Sequence, residues 1–180
     1  MEVKIDNIIA NTKIAKELNI EEIAEKISEF SYDPDQFKGL TFKLTEPKTA
    51  VLILPDGTLI CTGAKKNSEI EESFRIIANM MKKAGIKIKA KPKIEIQNVI
   101  ASTDVKQELH LSSISQALIM ENVNYQPEQF PGLIYNMDET GALILIFSSG
   151  KIVCNGLKNE KDAKEAIEKI KEKLCSIGAL

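Results

Sequence analysis

Four hydrogen-bonding side chains lie among aliphatic residues in strand-like segments of the 180-residue chain. Successive residues of a strand point to opposite faces, so each of these polar residues shares a face with an aliphatic residue two positions away. The sheet face that they share would be an apolar platform carrying a few hydrogen-bonding groups. The polar residues are Asn7, Thr62, Asn98 and Asn155, and their aliphatic companions are Ile9, Ile60, Ile100 and Val153.

Patterns for catalysis or metal binding are missing from the sequence. Neither a glycine-rich phosphate loop nor a nucleophile elbow follows any strand-like segment. The lone His110 has no companion ligands at metal-site spacing, so we expect it on the surface. Three cysteines, Cys61, Cys154 and Cys175, also form no ligand cluster, and apolar neighbours predict buried thiols with a structural role. The sequence predicts no enzyme, no metal site and no cofactor.

The charge of the chain is distributed unevenly. A net charge of -2 ordinarily argues against nucleic acid, because phosphate contacts supply much of the affinity of such proteins. Acidic residues crowd the predicted helices, however, while five lysines fall in or beside strand-like segments, so that opposite faces would differ in potential. No run approaches the roughly 18 to 20 apolar residues of a membrane span, and the N-terminus lacks a signal-peptide pattern. We therefore expect a cytoplasmic, nucleoid-associated protein without membrane contact. The five lysines are Lys43, Lys48, Lys65, Lys151 and Lys158.

The chain contains two copies of one unit. Residues 5–12 (IDNIIANT) return as residues 96–103 (IQNVIAST), and residues 32–40 (YDPDQFKGL) return as residues 125–133 (YQPEQFPGL). Two copies are too few for a solenoid, so we expect them to pair about a pseudo-two-fold axis and to bind a partner that is itself nearly two-fold symmetric. The predicted repeats are 1–90 and 91–180, intimately fused.

Each copy shows the same order of predicted elements. A strand comes first, then a short amphipathic helix, a loop containing proline, three closely spaced strands and a long amphipathic helix that ends near Gly85 or Gly178. The strands are apolar on both faces, so each sheet face needs a cover. The long helices can cover one face, which leaves an apolar surface for a partner. The predicted strands are 3–11, 40–44, 49–54 and 58–63, and then 94–102, 133–137, 142–147 and 151–156.

These segments resemble the TATA-box-binding protein family, in its archaeal form, over essentially the whole chain. The resemblance implies an α+β fold shaped as a saddle, in which a curved ten-stranded antiparallel sheet binds the DNA minor groove with its concave face and carries the helices on its convex face. It also implies a general transcription initiation factor that binds the TATA box, kinks it with inserted apolar side chains and recruits transcription factor B and RNA polymerase. The segments that carry the resemblance are 46–48 (EPK), 61–65 (CTGAK), 125–135 (YQPEQFPGLIY) and 145–154 (LIFSSGKIVC), with the paired Asn7 and Asn98.

The resemblance also implies roles for individual residues. The five lysines named above match positions that face DNA phosphates. Residues of the second-copy loop match the contact with transcription factor B, namely Gln126, Glu128 and Gln129. The side chains that would wedge between base steps are Phe37, Phe130 and Phe147, with Leu54 where a fourth Phe is expected. The minor-groove residues are Asn7, Ile9, Leu52, Ile60, Thr62, Asn98, Ile100, Leu145, Val153 and Asn155.

Several positions depart from the family pattern. Residues 55–58 (PDGT) replace the usual Ser-Ser-Gly-Lys, Asn136 replaces a usual Arg, residues 140–141 replace a Pro-basic pair, and Asn155 replaces a Thr. At least three expected positive charges are missing. Each neutralised phosphate adds about 0.9 to the slope of log affinity against log salt. We therefore expect DNA binding weaker and less salt-dependent than that of a typical relative.

Three classes of function follow from these observations. The first is the initiation factor just described. The second is a divergent paralogue with the same fold that acts mainly as a protein-interaction module. The third is a ligand-binding or catalytic domain that uses the sheet as a cavity, which would need a polar cluster or a lid that the sequence does not show. A single Phe is more often a core residue than a wedge, and only its paired placement in two copies favours the first class. Whether the free protein forms a homodimer is left open.

Overall fold

The computed structural model describes residues 2–180, and Met1, where the first predicted repeat begins, lies outside the described residues. Within residues 2–180 the chain forms ten strands and four helices, in an order that repeats once. The first copy contains β1 (Lys4–Lys13), α1 (Ile20–Lys26), β2 (Ser31–Tyr32), β3 (Leu40–Lys43), β4 (Ala50–Ile53), β5 (Thr58–Ala64) and α2 (Asn67–Lys83). The second contains β6 (Ile94–Asp104), α3 (Leu111–Ala117), β7 (Val123–Asn124), β8 (Leu133–Met137), β9 (Ala142–Ile146), β10 (Lys151–Leu157) and α4 (Glu160–Ser176).

The chain packs as two compact units. One is Asn7–Gln97, and the other is Asn98–Leu180 with the N-terminal residues up to Asp6. The strand order within the first unit is β2-β3-β4-β5-β1, and within the second it is β6-β10-β9-β8-β7. All these neighbours are antiparallel. The predicted α+β class, with ten antiparallel strands in two repeats, is confirmed, while the predicted boundary between residues 90 and 91 stays a prediction.

Each long helix buries one stripe of side chains against its own unit. On α2 the buried stripe is the predicted one, Ile70, Phe74, Ile77 and Met81. On α4 the stripe is again as predicted and consists of small and aliphatic residues. The helices pack chiefly on β5 and β10, so one face of each unit's strands is covered. No helix in the described part of the chain is long and apolar enough to cross a membrane. The stripe on α4 consists of Ala163, Ile167, Ile170 and Leu174.

The element boundaries follow local sequence signals with a few differences. The helices α2 and α4 end two residues before Gly85 and Gly178, as predicted, and the N–H of Ile86 donates to the carbonyl of Met81 at 2.9 Å to close the last turn of α2. The strands β2 and β7 were not predicted. Each has only two residues, and alternation cannot be detected over two positions. Pairing with the longer strands β3 and β8 alone fixes them.

The cysteines divide into two buried thiols and one exposed thiol. Cys61 on β5 and Cys154 on β10 are buried, as predicted. The prediction is wrong for Cys175, which is exposed because it follows Leu174 on α4 and lies outside the buried stripe. Burial raises the pKa of Cys61 and raises the pKa of Cys154 to about 11. Thiolate is therefore scarce at the two buried positions at neutral pH.

We predict that only Cys175 reacts rapidly with a disulfide reagent at pH 8, because the thiolate is the reactive form and burial suppresses it at Cys61 and Cys154. Titration with 5,5′-dithiobis(2-nitrobenzoate) should show one fast thiol in the folded protein and three in denaturant. Cys175→Ser should abolish the fast phase. A second fast thiol in the folded protein would contradict the burial of the strand cysteines.

Candidate nucleic-acid interface

One face of the strands in the first unit is left half-exposed. Thr41, Leu52 and Ile60 lie side by side across β3, β4 and β5, and Asn11 of β1 lies beside Ile60. All four side chains are half-buried. The chain neighbours of Leu52, Ile60 and Asn11 are buried on the opposite face. The alternation of the strands thus separates a helix-covered face from an open face, which we call the platform.

The second unit repeats this platform. Ile134, Leu145 and Val153 lie side by side across β8, β9 and β10. In the next row Leu143 pairs with Asn155. All five are half-buried. The aliphatic surface predicted from the sequence therefore exists in both units.

All the residues predicted to contact the minor groove lie on the platforms and are half-buried. Their contact with DNA stays a prediction. Strand alternation would also have found platform residues that the sequence interpretation omitted. Those predicted are Asn7, Ile9, Leu52, Ile60 and Thr62 on the first unit, and Asn98, Ile100, Leu145, Val153 and Asn155 on the second. Those omitted are Asn11, Thr41, Ala50, Ile134 and Leu143.

A β-bulge interrupts β5 and is repeated in β10. Ile8 pairs with Ala64 and Ala10 pairs with Cys61, so Thr62 and Gly63 together face the single residue Ile9. Gly63 has φ +94°, and a Cβ on it would lie 3.1 Å from the carbonyl oxygen of Lys48. Glycine fits both requirements. The bulge leaves the N–H of Gly63 free of the strand ladder and directed at a side chain.

That side chain is Asn7. Its Oδ1 accepts a hydrogen bond from the N–H of Gly63 at 2.7 Å, and its Nδ2 donates to Oγ1 of Thr62 at 3.2 Å. A backbone N–H can only donate, so the orientation of the Asn7 amide is fixed without ambiguity. Thr62 then accepts from Asn7 and keeps its own O–H for another acceptor.

The second unit contains the same arrangement with one different residue. Oδ1 of Asn98 accepts from the N–H of Gly156 at 2.9 Å, and Nδ2 of Asn98 donates to Oδ1 of Asn155 at 2.6 Å. Asn155 must therefore accept through its oxygen, which leaves both N–H groups of its Nδ2 for an external acceptor. The replacement of Thr by Asn at position 155 consequently keeps a hydrogen-bond donor on the platform.

The predicted wedge residues lie just after the strand ends. Phe130 and Phe147 are half-buried and touch edge to face, with ring centroids 5.9 Å apart. A Cβ at Gly132 would lie 2.8 Å from a ring carbon of Phe130 and 3.1 Å from one of Phe147, so glycine leaves space for both rings. In the first unit Phe37 and Leu54 occupy the corresponding positions and are also half-buried. Insertion into DNA stays a prediction for all four.

The predicted phosphate-facing lysines are exposed. Salt bridges within residues 2–180 involve helix and loop cations such as Lys26, Arg75 and Lys173, and none involves these five lysines. Their charges are therefore not committed to carboxylates of the described chain. They are Lys43, Lys48, Lys65, Lys151 and Lys158.

The predicted contact with transcription factor B falls on an exposed turn. Gln126, Glu128 and Gln129 follow β7 and are all exposed. The N–H groups of Gln129 and Phe130 both donate to the carbonyl of Gln126, at 2.9 and 3.0 Å, which holds the turn in one conformation. Their side chains are therefore presented on an ordered loop.

Comparison with known proteins places the chain in a family. The family model described as "Transcription factor TFIID (or TATA-binding protein, TBP)" matches residues 2–84 and 93–177. The chain belongs to this TATA-binding protein family. A TATA-box-binding protein of Thermoplasma acidophilum is 42% identical over 178 residues, covering 99% of this chain and 97% of the relative. One of Archaeoglobus fulgidus is 38% identical over 178 residues, with the same coverage.

The fold of this TATA-binding protein family member also matches a solved structure. The structure titled "Methanococcus jannaschii TBP" superposes with a TM-score of 0.85 at 42% sequence identity, covering 100% of both chains. The resemblance stated from the sequence is thereby confirmed, as are the saddle class of the fold, the role in transcription and the archaeal type.

One departure from the family pattern has a visible structural setting. Asn136, where a basic residue is usual, donates from its backbone N–H to the carbonyl of Asn122 at 2.9 Å. Its Nδ2 also donates to Oδ1 of Asn122 at 3.3 Å. The side chain of Asn136 is thus engaged with the segment that leads into β7. It supplies no charge to the platform.

Proposed function

We propose that this chain is a general transcription initiation factor that binds the minor groove of A/T-rich promoter DNA with its platforms. The observation that carries the proposal is the fixed polarity of the Asn7 and Asn98 networks. In each unit a bulge N–H forces the asparagine and its neighbour to present donors outward. Adenine and thymine show only acceptors in the minor groove, whereas guanine adds an amino donor. The platforms would therefore accept A/T pairs and reject guanine.

The remaining parts of the proposal concern DNA shape and partners. Apolar side chains inserted between base steps would unstack them and kink the duplex, with Phe130 and Phe147 acting at one end and Phe37 and Leu54 at the other. The exposed turn with Glu128 would then contact transcription factor B, which recruits RNA polymerase. Repeats 1–90 and 91–180 would each serve one half of the element, and the protein would act at the nucleoid without catalysis.

The direct test is a fluorescence titration of a doubly labelled A/T-rich promoter duplex, with and without transcription factor B. Shortening of the end-to-end distance upon binding, absent with a G/C-rich duplex, would support a minor-groove factor that bends DNA. If binding occurs in neither condition, the protein is instead an interaction module with this fold.

We predict that Asn98→Asp lowers affinity for the A/T-rich duplex by about tenfold or more. The carboxylate can still accept from Gly156, but it cannot donate to Asn155, and losing a hydrogen bond to a buried polar partner costs about 1–3 kcal/mol. Asn79→Asp, an equal charge change at an exposed position of α2, should leave affinity nearly unchanged. Equal losses for the two variants would show that only net charge matters.

We predict that Phe147→Ala reduces DNA bending and affinity together while the protein stays folded. The ring is half-buried, so its removal should cost less stability than a core substitution. Bending is measured by the distance between the two labels, and folding by circular dichroism and thermal unfolding. Ile146→Ala, a fully buried neighbour, serves as the matched core control and should instead destabilise the fold. If Phe147→Ala unfolds the protein to the same extent, Phe147 is a core residue.

We predict that Glu128→Arg leaves binary DNA binding within about twofold of the original protein and disrupts the ternary complex with transcription factor B. Glu128 is exposed and projects from a turn outside the strands of the platform. Native gel electrophoresis of DNA with one or both proteins separates the two effects. Glu165→Arg on α4, also exposed, is the matched charge reversal and should spare both complexes. An intact ternary complex with Glu128→Arg would remove the loop from the partner contact.

A further inference from the structure

The two units place a lysine on opposite strands of the same strand pair. In the second unit Lys151 begins β10 and lies directly opposite Asp104 of β6. In the first unit the position equivalent to Lys151 is Thr58, and the residue opposite it is Lys13 of β1. The positive charge has therefore moved from one strand to its neighbour while keeping the same row of the sheet.

Thr58 cannot supply the missing contact through its hydroxyl. Its backbone N–H and its Oγ1 both donate to the carboxylate of Asp56, each at 3.0 Å, and these bonds hold the pKa of Asp56 below its ordinary value. Lys13 is much less restrained. Its Nζ lies 3.9 Å from Oδ2 of Asp56, and the two side chains are 53% and 59% exposed, so this ion pair contributes little. The ammonium group of Lys13 can turn to another anion.

Lys13 also lies on the correct face. Along β1 the half-buried residues Asn7, Ile9 and Asn11 alternate with buried ones, and Lys13 continues that series at the end of the strand. It therefore lies at the edge of the platform. A duplex whose minor groove is seated on a platform has its sugar-phosphate backbones at the platform edges.

The segment between the two repeats brings more lysines to this edge. Lys89, Lys91 and Lys93 line one groove together with Asn11, Lys13 and Thr58. We call this the linker groove. Two hydrogen bonds hold the segment in place: the N–H of Lys89 donates to the carbonyl of Ile14 at 2.7 Å, and Oγ1 of Thr12 donates to the carbonyl of Lys93 at 2.8 Å.

The charge of the linker groove is positive although the chain is acidic overall. The nearby carboxylates are those of Asp56 and Glu95, and Glu95 is paired with Lys93 at 3.1 Å. Within residues 2–180, Lys89 and Lys91 form no salt bridge. Four lysines thus face two carboxylates in a groove that borders the platform.

We propose that the linker groove binds the phosphodiester backbone of the DNA seated on the platform, with Lys13 in the role that Lys151 is expected to have in the second unit. The proposal rests on the proposed function. It implies that the loss of a lysine at position 58 is compensated from the facing strand and the linker. The phosphate deficit expected from a position-by-position comparison with relatives would then be smaller.

The test measures affinity for an A/T-rich duplex, extended by about ten base pairs on each side, across a series of salt concentrations. Each phosphate contact contributes about 0.9 to the slope of log affinity against log salt. The variant Lys13→Gln/Lys89→Gln/Lys91→Gln should lower the slope by about 2 to 3. The control Lys161→Gln/Lys164→Gln/Lys169→Gln removes three exposed lysines from α4 and should leave the slope unchanged.

A rescue variant tests the exchange between strands. Lys13→Gln alone should lower the slope by about 1, and Lys13→Gln/Thr58→Lys should restore it, because the lysine returns to the facing strand in the same row. Failure to restore the slope would overturn the exchange.

Other outcomes distinguish the groove from the proposed function. An unchanged slope in the triple linker-groove variant, with the protein still folded by circular dichroism, would overturn the phosphate site. It would leave the groove to another anion, such as an acidic protein segment. Absence of DNA binding by the unmodified protein would overturn the proposed function and the groove together, whereas binding that persists with an unchanged slope overturns the groove alone.

Discussion

The structure depends on one constraint: its strands are apolar on both faces, and each unit has one long helix to cover them. Residues such as Val51, Ile53 and Ile144 reach complete burial under the helices. Their chain neighbours Leu52 and Leu145 stay half-exposed. An aliphatic surface of this extent is unusual on a free protein and ordinarily marks a binding site. The position of the platforms is thus a consequence of how the core is covered.

The β-bulges turn this apolar surface into a selective one. An extra residue in β5 or β10 frees a glycine N–H, and that N–H fixes the amide of Asn7 or Asn98. The fixed amide in turn fixes the donor direction of its neighbour. Thr62 and Asn155 differ chemically, yet both end with donors facing outward. A substitution that looks like a departure in the sequence therefore preserves the polarity of the site.

The two units share a plan but differ in their charges. The second unit keeps Lys151 at the start of β10, while the first has Thr58 at that position and Lys13 across the strand pair. Lysines of the linker add to the charge on the first unit's side. Exposed lysines tolerate such shifts because a long side chain can reach the same phosphate from an adjacent strand. The acidic net charge conceals this arrangement, since the acidic residues lie mostly on the helices.

The sequence by itself determined the repeats, the fold class, the two long helices and the alternation that places Asn7, Ile60 and Val153 on one face. These features are local periodicities, and periodicity depends on neighbouring residues alone. The short strands β2 and β7 could not be found in this way, because two residues carry no period and only pairing with β3 and β8 makes them strands. The exposure of Cys175 was missed because the angular position of a residue on a helix matters more than its apolar neighbours. Only the tertiary structure brought Gly63 to Asn7 and Gly156 to Asn98, and it alone placed Lys13 opposite Thr58 and the linker lysines beside both. Each of these contacts joins residues far apart in the chain, and strand register, which decides them, is set by the packing of the whole unit.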